Sequence, residues 1–538
     1  MDSMETAART KPVGFILDGS PKPKMEIPVS MNRRTFIGSA AALPGLRLDA
    51  APQPNLLFIM TDQQRFDALS CAGNRILQTP NLDRLAREGA LFRTAITPCP
   101  VCVPARTSML TGKSMHGTGV TGNQSAADTE SDPGPSYDNV LAGRGYASAH
   151  IGKWHAPYRL ARTYKNKAPY AGMRVAGAPS HRQQYLEYLD RHSPAPELRP
   201  GELMNRDYER PYKPAILDAR YKNSEAKFGQ GDVYGWLQIP REHSPAAYTV
   251  NETLEALEGL KGGPFSLTCS IGPPHPPMLN VSPYWGFYPD RDMPLPENFQ
   301  HHMTWSPYRG RAAGMQTYHV PENIRSMISI YYGMVKEVDD NLGRLLRRVD
   351  QLGLAGNTLV VFTSDHGEMM GSHGMNSKMT FYEESVRVPL IMRLPGTIKP
   401  GTIILDPVSG MDLFATILDY LGVAAPAREG YSLRPLVEGG KPAGPDFCVS
   451  EWFGKNVPNF MVRTRDWKLI MANDRASKSQ DALFHLKEDP YEITNLLGAP
   501  TDRAQCRKQA DEMKDRLLTW LARVNSPLAG SVRERKLA

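Results

Sequence analysis

Short apolar runs alternate with helix-period stretches along most of this chain, and that alternation specifies an α/β fold with a largely parallel central sheet. Two further observations support it. Polar or ionisable residues, Asp62, Lys153, His275 and Asp365, follow the apolar runs directly, as happens where a parallel sheet presents its carboxyl ends to a site. From about Pro445 the alternation gives way to closely spaced short strands and one long amphipathic helix, which marks a smaller α+β subdomain over residues 444–538.

Taken in order, residues 1–50 read as a leader. Arg33-Arg34 opening the weakly apolar stretch to Ala42 resembles a twin-arginine export signal, the alternative being a flexible basic N-terminus. Thirty residues precede Met31, more than such a signal carries, so Met31 is the expected start and the mature chain is expected to begin near residues 50–54. Export by that route implies a periplasmic or secreted protein. The catalytic domain is expected over residues 51–443. Asn55–Met60, a continuous apolar run ended by Thr61-Asp62, reads as a strand buried on both faces. Asn81–Glu88 reads as a helix and Tyr146–Ile151 as the next strand. Tyr158–Arg241 is rich in Tyr, Arg, Pro and Gly and poor in periodicity, and reads as an insertion over the site that sets specificity. The helical pattern Tyr248–Leu260 precedes a strand at Phe265–Ile271, and Ile324–Leu352 precedes one at Thr358–Phe362. In the last subdomain Phe447–Trp452, Phe460–Arg465 and Trp467–Met471 read as strands and Arg503–Val524 as a helix. No internal repeat is visible.

Composition excludes several classes. The chain has 538 residues and a formal charge of +7, with no block of five or six like charges, which is too weak a field to argue for nucleic acid. No run reaches the ~18 apolar residues that span a bilayer. Hydrophobic residues at 41% and charged residues at 22% describe a globular chain rather than a disordered one. Six cysteines are too few for a disulfide scaffold, and the single C-x-x-C of Cys99 and Cys102 lacks the second pair of a zinc site. The 24 methionines read as core filler.

Four segments concentrate chemistry: Thr61–Arg65; Cys102–Gly112; Gly152-Lys153-Trp154-His155 together with the later Pro273-Pro274-His275-Pro276; and Ser364–Glu368 followed by Lys378 and Tyr382–Pro389. Carboxylates beside an imidazole or an amide suit a hard or borderline divalent cation. Two lysines, an arginine and two histidines could neutralise and position a tetrahedral oxyanion. Taken singly, each has a plainer reading: Lys153 as a solvated lysine, His275 as a loop residue, Asp365 and His366 as a turn or a helix cap. None of those explains the segments jointly. His116, His150 and His373 lack such company and read as structural.

Cys102-x-Pro104-x-Arg106, with Leu110-Thr111-Gly112 behind it, resembles the sulfatase signature. Gly152–His155, Asp365–Pro389, Met411–Leu418, Gly430–Leu433 and Leu483–Leu496 match that family in order and type, so the resemblance spans about Asn55 to Leu521. It implies an alkaline-phosphatase-like α/β fold with a small antiparallel sheet in the C-terminal subdomain, and a cysteine converted to formylglycine by a maturation enzyme. By the same resemblance Asp62, Gln63, Asp365 and His366, with the modified Cys102, would bind one divalent metal. Arg106 would hold the formylglycine, and Lys153, His155, His275 and Lys378 would surround the sulfuryl group. The family's usual ion is calcium. Gln63 and His366 depart from the acidic pair and the asparagine of many arylsulfatases and are similar to choline sulfatases and phosphonate monoester hydrolases, which makes manganese or magnesium more competitive.

The chemistry has its own logic. An aldehyde hydrate offers one hydroxyl as a nucleophile, and its second hydroxyl can lose a proton and expel sulfate, which a serine ester could not do. Within the resemblance, His155 is the expected base for that elimination; His275, or else Lys378, is the expected acid towards the leaving alcohol, with imidazole favoured because it titrates nearer neutrality. The function expected is hydrolysis of a sulfated small molecule or glycan. A phosphonate monoester or phosphodiester hydrolase on the same site is the alternative, and a non-catalytic sulfated-glycan binder is a third reading.

Overall fold

The computed structural model describes residues 53–123, 132–161, 181–192, 215–216, 234–237, 239–299, 306–454, 457–473, 479–498 and 503–537. The expected leader, with Arg33 and Arg34, and most of the 158–241 insertion lie outside them. Seven strands form the main sheet: β1 (Asn55–Thr61), β2 (Ala90–Phe92), β3 (Ala147–Gly152), β4 (Phe265–Ile271), β5 (Thr358–Ser364), β6 (Leu390–Arg393) and β7 (Thr402–Ile404), in the order β7-β2-β6-β5-β1-β4-β3. Only β6 runs against the others, pairing antiparallel with both β5 and β2. The largely parallel sheet and the alkaline-phosphatase-like fold expected above are borne out.

The central strand shows why a continuous apolar run was required. Leu56, Phe58 and Met60 point into one core, with Phe414 and Ile417 of the helix Leu413–Tyr420. Leu57 and Ile59 point into the other, with Leu82 and Leu85 of α1 (Pro80–Glu88) and Val338 and Leu342. Those last two belong to α2 (Pro321–Gln351), a 31-residue helix that crosses the sheet. A strand covered by helices on both faces has no solvent side on which to place polar residues.

The C-terminal sheet is antiparallel: β8 (Cys448–Gly454), β9 (Val457–Arg463), β10 (Trp467–Asn473) and β11 (Ser479–His485) pair in sequence order. Its two faces have different partners. Val462, Leu469 and Leu483 pack on Met513 and Leu517 of α3 (Arg503–Arg523), which fits the amphipathic reading of that helix. Met461, Ile470 and Phe484 pack on Phe381, Tyr382 and Val386, the segment that follows Lys378. The subdomain therefore backs a wall of the site.

Candidate active site

Strand register assembles the centre. Thr61 of β1 lies opposite Ser364 of β5, so the next residues, Asp62 and Asp365, emerge side by side. Gly152 of β3 lies opposite Ser270 of β4, which brings Lys153 to the same edge. Gly152 takes φ +95°, and a Cβ there would collide with the Ser270 carbonyl, so only glycine allows this close exit. Cys102 comes from a helix and not from a strand end. It is the first residue of a buried helix, Cys102–Thr111, whose amino end opens onto the two aspartates. That end favours negative charge.

Asp62, Cys102, Asp365 and His366 each offer a ligand atom, and these atoms lie within 4.8 Å of one another, all buried. Cys102 Sγ is 3.0 Å from His366 Nε2, which stands 3.8 Å from Asp62 Oδ1 and 3.7 Å from Asp365 Oδ1. His366 Nδ1 donates to the Gly367 carbonyl at 3.0 Å, so Nε2 is the nitrogen turned to the cluster. Asp62 Oδ1 is buried without a hydrogen-bond partner. An orphaned carboxylate oxygen amid sulfur, imidazole and a second carboxylate fits a divalent cation. Cys99, the other half of the C-x-x-C, turns away to Met115 Sδ at 3.7 Å.

Arg106, one helical turn beyond Cys102, ties this edge together. Its Nε donates to Asp365 Oδ2 at 2.7 Å, Nη2 to Asp62 Oδ2 at 3.3 Å, and Nη1 to the Lys153 carbonyl at 3.0 Å and Ser270 Oγ at 2.9 Å. Lys153 Nζ donates to Asp62 Oδ2. Burial pushes the Asp62 carboxyl up, but Lys153, His275 and Arg106 outweigh it and hold it well below the usual carboxylate range. The Cys102 thiol is likewise raised by burial and then brought well below its ordinary value by Lys378, Lys153, His366 and a hydrogen bond from His155. Burial keeps His155 below the ordinary histidine value, leaving it neutral beside that sulfur. His275 Nδ1 lies 2.6 Å from the Pro276 carbonyl, which can only accept, so Nδ1 donates there and Nε2 is the ring nitrogen left for another contact.

Gln63, expected among the ligands, has both ends of its side-chain amide engaged outside the four-residue cluster: Nε2 donates to Glu368 and Oε1 accepts from Lys378 Nζ at 2.5 Å. Three contributors had no role assigned from the sequence. Glu368 lies within a quoted segment, but nothing in its spacing showed a partner. Ser270 and Tyr331 come from distant elements; Tyr331 Oη donates to the Gln63 carbonyl at 2.7 Å and accepts from Arg65 N at 2.9 Å, fixing the turn after β1. No one-dimensional signal marks such contacts. The three histidines read as structural have structural neighbours: His116 pairs with Glu451, His150 meets the Trp154 ring, and His373 stacks on Tyr382.

Two buried carboxylates, an imidazole and a sulfur, set at parallel strand ends beneath a helix amino end, form a candidate metal centre on an alkaline-phosphatase-like fold. A family model described as Sulfatase matches residues 54–423, and one described as N-sulphoglucosamine sulphohydrolase, C-terminal, matches residues 371–521. The chain belongs to the sulfatase family and is a hydrolase of it. It is similar to a multifunctional alkaline phosphatase superfamily protein of Trinickia caryophylli, with 30% identity covering 87% of this chain and 95% of that one. An arylsulfatase of Clostridium perfringens is 28% identical over 83% of this chain and 91% of its own. Among solved structures, the phosphonate monoester hydrolase of Agrobacterium radiobacter aligns with a TM-score of 0.69 at 25% identity, covering 88% of this chain and 96% of that chain.

Proposed function

We propose that this chain hydrolyses sulfuric esters and releases inorganic sulfate, with Cys102 acting in its formylglycine form. The observation that carries this reading is the convergence of Asp62, Cys102, Asp365 and His366 within 4.8 Å at the amino end of a buried helix. Those four would hold one divalent cation, calcium by family habit, with manganese or magnesium made more competitive where a neutral ligand such as His366 replaces an anion. Formylglycine supplies, as its hydrate, one hydroxyl for attack and a second for expelling sulfate, and the cation supplies charge stabilisation at that centre. The chain's own residues do the rest. Arg106 holds both aspartates in place. Lys153 and Lys378 bring ammonium groups to the oxygens of the transferred group. His155, neutral and beside residue 102, takes the proton whose loss drives elimination. His275, protonated on both ring nitrogens, gives its Nε2 proton to the departing alcohol and is left with the Nδ1 proton it shares with the Pro276 carbonyl.

A second reading, a phosphonate monoester or phosphodiester hydrolase on the same site, is favoured by Gln63 and His366 and by the Agrobacterium likeness. The Trinickia relative, named as multifunctional, supports cross-activity. Kinetics on a paired aryl sulfate and aryl phosphonate decide between them: the sulfate is expected to have the higher kcat/KM, and a phosphonate preference of several orders of magnitude would overturn the first reading. Binding of sulfated glycans without any turnover, on fully matured protein, would overturn both. The substrate class is a sulfated small molecule or glycan, and a formylglycine-generating enzyme is the required partner. Among the described residues no helix is long and apolar enough to cross a membrane. Export is assigned to Arg33-Arg34; replacing both by lysine should retain active enzyme in the cytoplasm, and unchanged export would contradict it.

A further inference from the structure

We infer that Glu368 is a positioning residue for Lys378, acting through the side-chain amide of Gln63; this rests on the reading that Lys378 meets the transferred group. Glu368 is 1% exposed and has no place in the candidate ligand set. Its Oε1 accepts from the backbone N–H of Met370 at 3.1 Å and from that of Ser377, while Oε2 accepts from Gln63 Nε2. One carboxylate thus pins both ends of the loop between Met370 and Ser377, where those two residues take left-handed φ values of 46° and 61°. The next residue is Lys378.

The amide of Gln63 then orders the charges. Its nitrogen faces a carboxylate, which can only accept, and its oxygen faces an ammonium, which can only donate. A single amide orientation satisfies both neighbours. The backbone beneath the bridge is fixed as well: Gln63 N donates to Asp365 Oδ1 at 3.1 Å and Gln63 O accepts from Tyr331. A carboxylate at position 63 would confront Glu368 with no proton between them, which gives a physical reason for the neutral amide here. Anion, amide and cation form one line that ends at the Lys378 ammonium.

The test compares kcat, KM, metal content and thermal midpoint for Lys378→Ala, Glu368→Gln, Gln63→Glu and the double variant Glu368→Gln/Gln63→Glu. Glu368→Gln keeps an oxygen for the two backbone amides but sets N–H against N–H at Gln63. Its kcat is expected to fall about tenfold with KM little changed and metal retained. Gln63→Glu probes the same bridge with the backbone bonds of Glu368 intact, and should also be impaired. In the double variant the introduced amide donates to the introduced carboxylate, which accepts from Lys378, so most of the lost kcat should return. In a Lys378→Ala background, Glu368→Gln should cost nothing further in kcat. Absence of recovery in the double variant, or the same tenfold loss without Lys378, would overturn the tether. A fully active Lys378→Ala would overturn the placement of Lys378 and the inference with it. A strongly impaired Lys378→Ala beside an unaffected Glu368→Gln would overturn the tether alone.

Discussion

Lys378 is 8% exposed, and its ammonium is held in place by Gln63 Oε1. A preorganised cation of that kind stabilises charge that develops during reaction, and removing one such contact typically raises the barrier by ~3 kcal/mol, about a hundredfold in rate. Lys378→Ala should therefore lower kcat by about that factor while circular dichroism and thermal midpoint stay near wild type. Arg106 differs, because its guanidinium serves four acceptors at once. Lysine cannot reproduce that fork. Arg106→Lys should lose both metal affinity, measured by titration of the apoprotein, and thermal stability; a variant that keeps both would show that the fork is dispensable. Cys102, Asp62, Asp365 and Lys153 were legible in the sequence because strand ends and a signature mark them. The Glu368–Gln63 bridge was not, since its hydrogen bond joins residues 305 positions apart.

At the scale of elements, β1, β3, β4 and β5 were readable to within a few residues because burial on both faces leaves a continuous apolar run, whereas β11 and the helix Cys102–Thr111 went unread. The short strands β2, β6 and β7 went unread: three or four residues carry too little pattern, and β6 is antiparallel only because of what it pairs with. Helix α2 carries a buried acid, Glu337, whose carboxyl is pushed up to about 7 by burial and by Asp340, against a hydrogen bond with Ser244. The folded state holds a proton that the unfolded chain releases at its ordinary value of 4.5, so this group's contribution to stability falls as pH rises from about 4.5 to 7. Glu337→Gln should be more stable than wild type at pH 8, by on the order of 2–3 kcal/mol, and no more stable near pH 4. Calorimetry at the two pH values checks it. In β10, Lys468 is fully buried and its Nζ meets Glu383 Oε1 at 2.7 Å, Glu492 Oε1 at 2.8 Å and the Phe381 carbonyl at 2.9 Å. Lys468→Met removes the buried cation between Glu492 and Glu383, the latter keeping Arg463 at 3.2 Å, and should cost about 3 kcal/mol in urea unfolding. Because Phe381 lies just past Lys378, kcat should fall too.

Over the whole molecule, a parallel sheet gathers Asp62, Lys153 and Asp365 on one edge, a helix amino end delivers Cys102 to them, and the C-terminal sheet supports the segment that carries Lys378. The order of motifs made that plan readable. What chemistry the assembled edge performs turns on the state of a single residue, because an unmodified thiol could bind a metal but could not turn over by elimination. Mass spectrometry of the peptide containing residue 102, taken from purified active enzyme, measures that state directly. The expected result is an aldehyde mass with carbonyl reactivity, in a fraction that rises with specific activity across expression hosts, and a Cys102→Ser variant that reacts once and stalls as its ester. Sustained full turnover by protein whose residue 102 is a free thiol would contradict it.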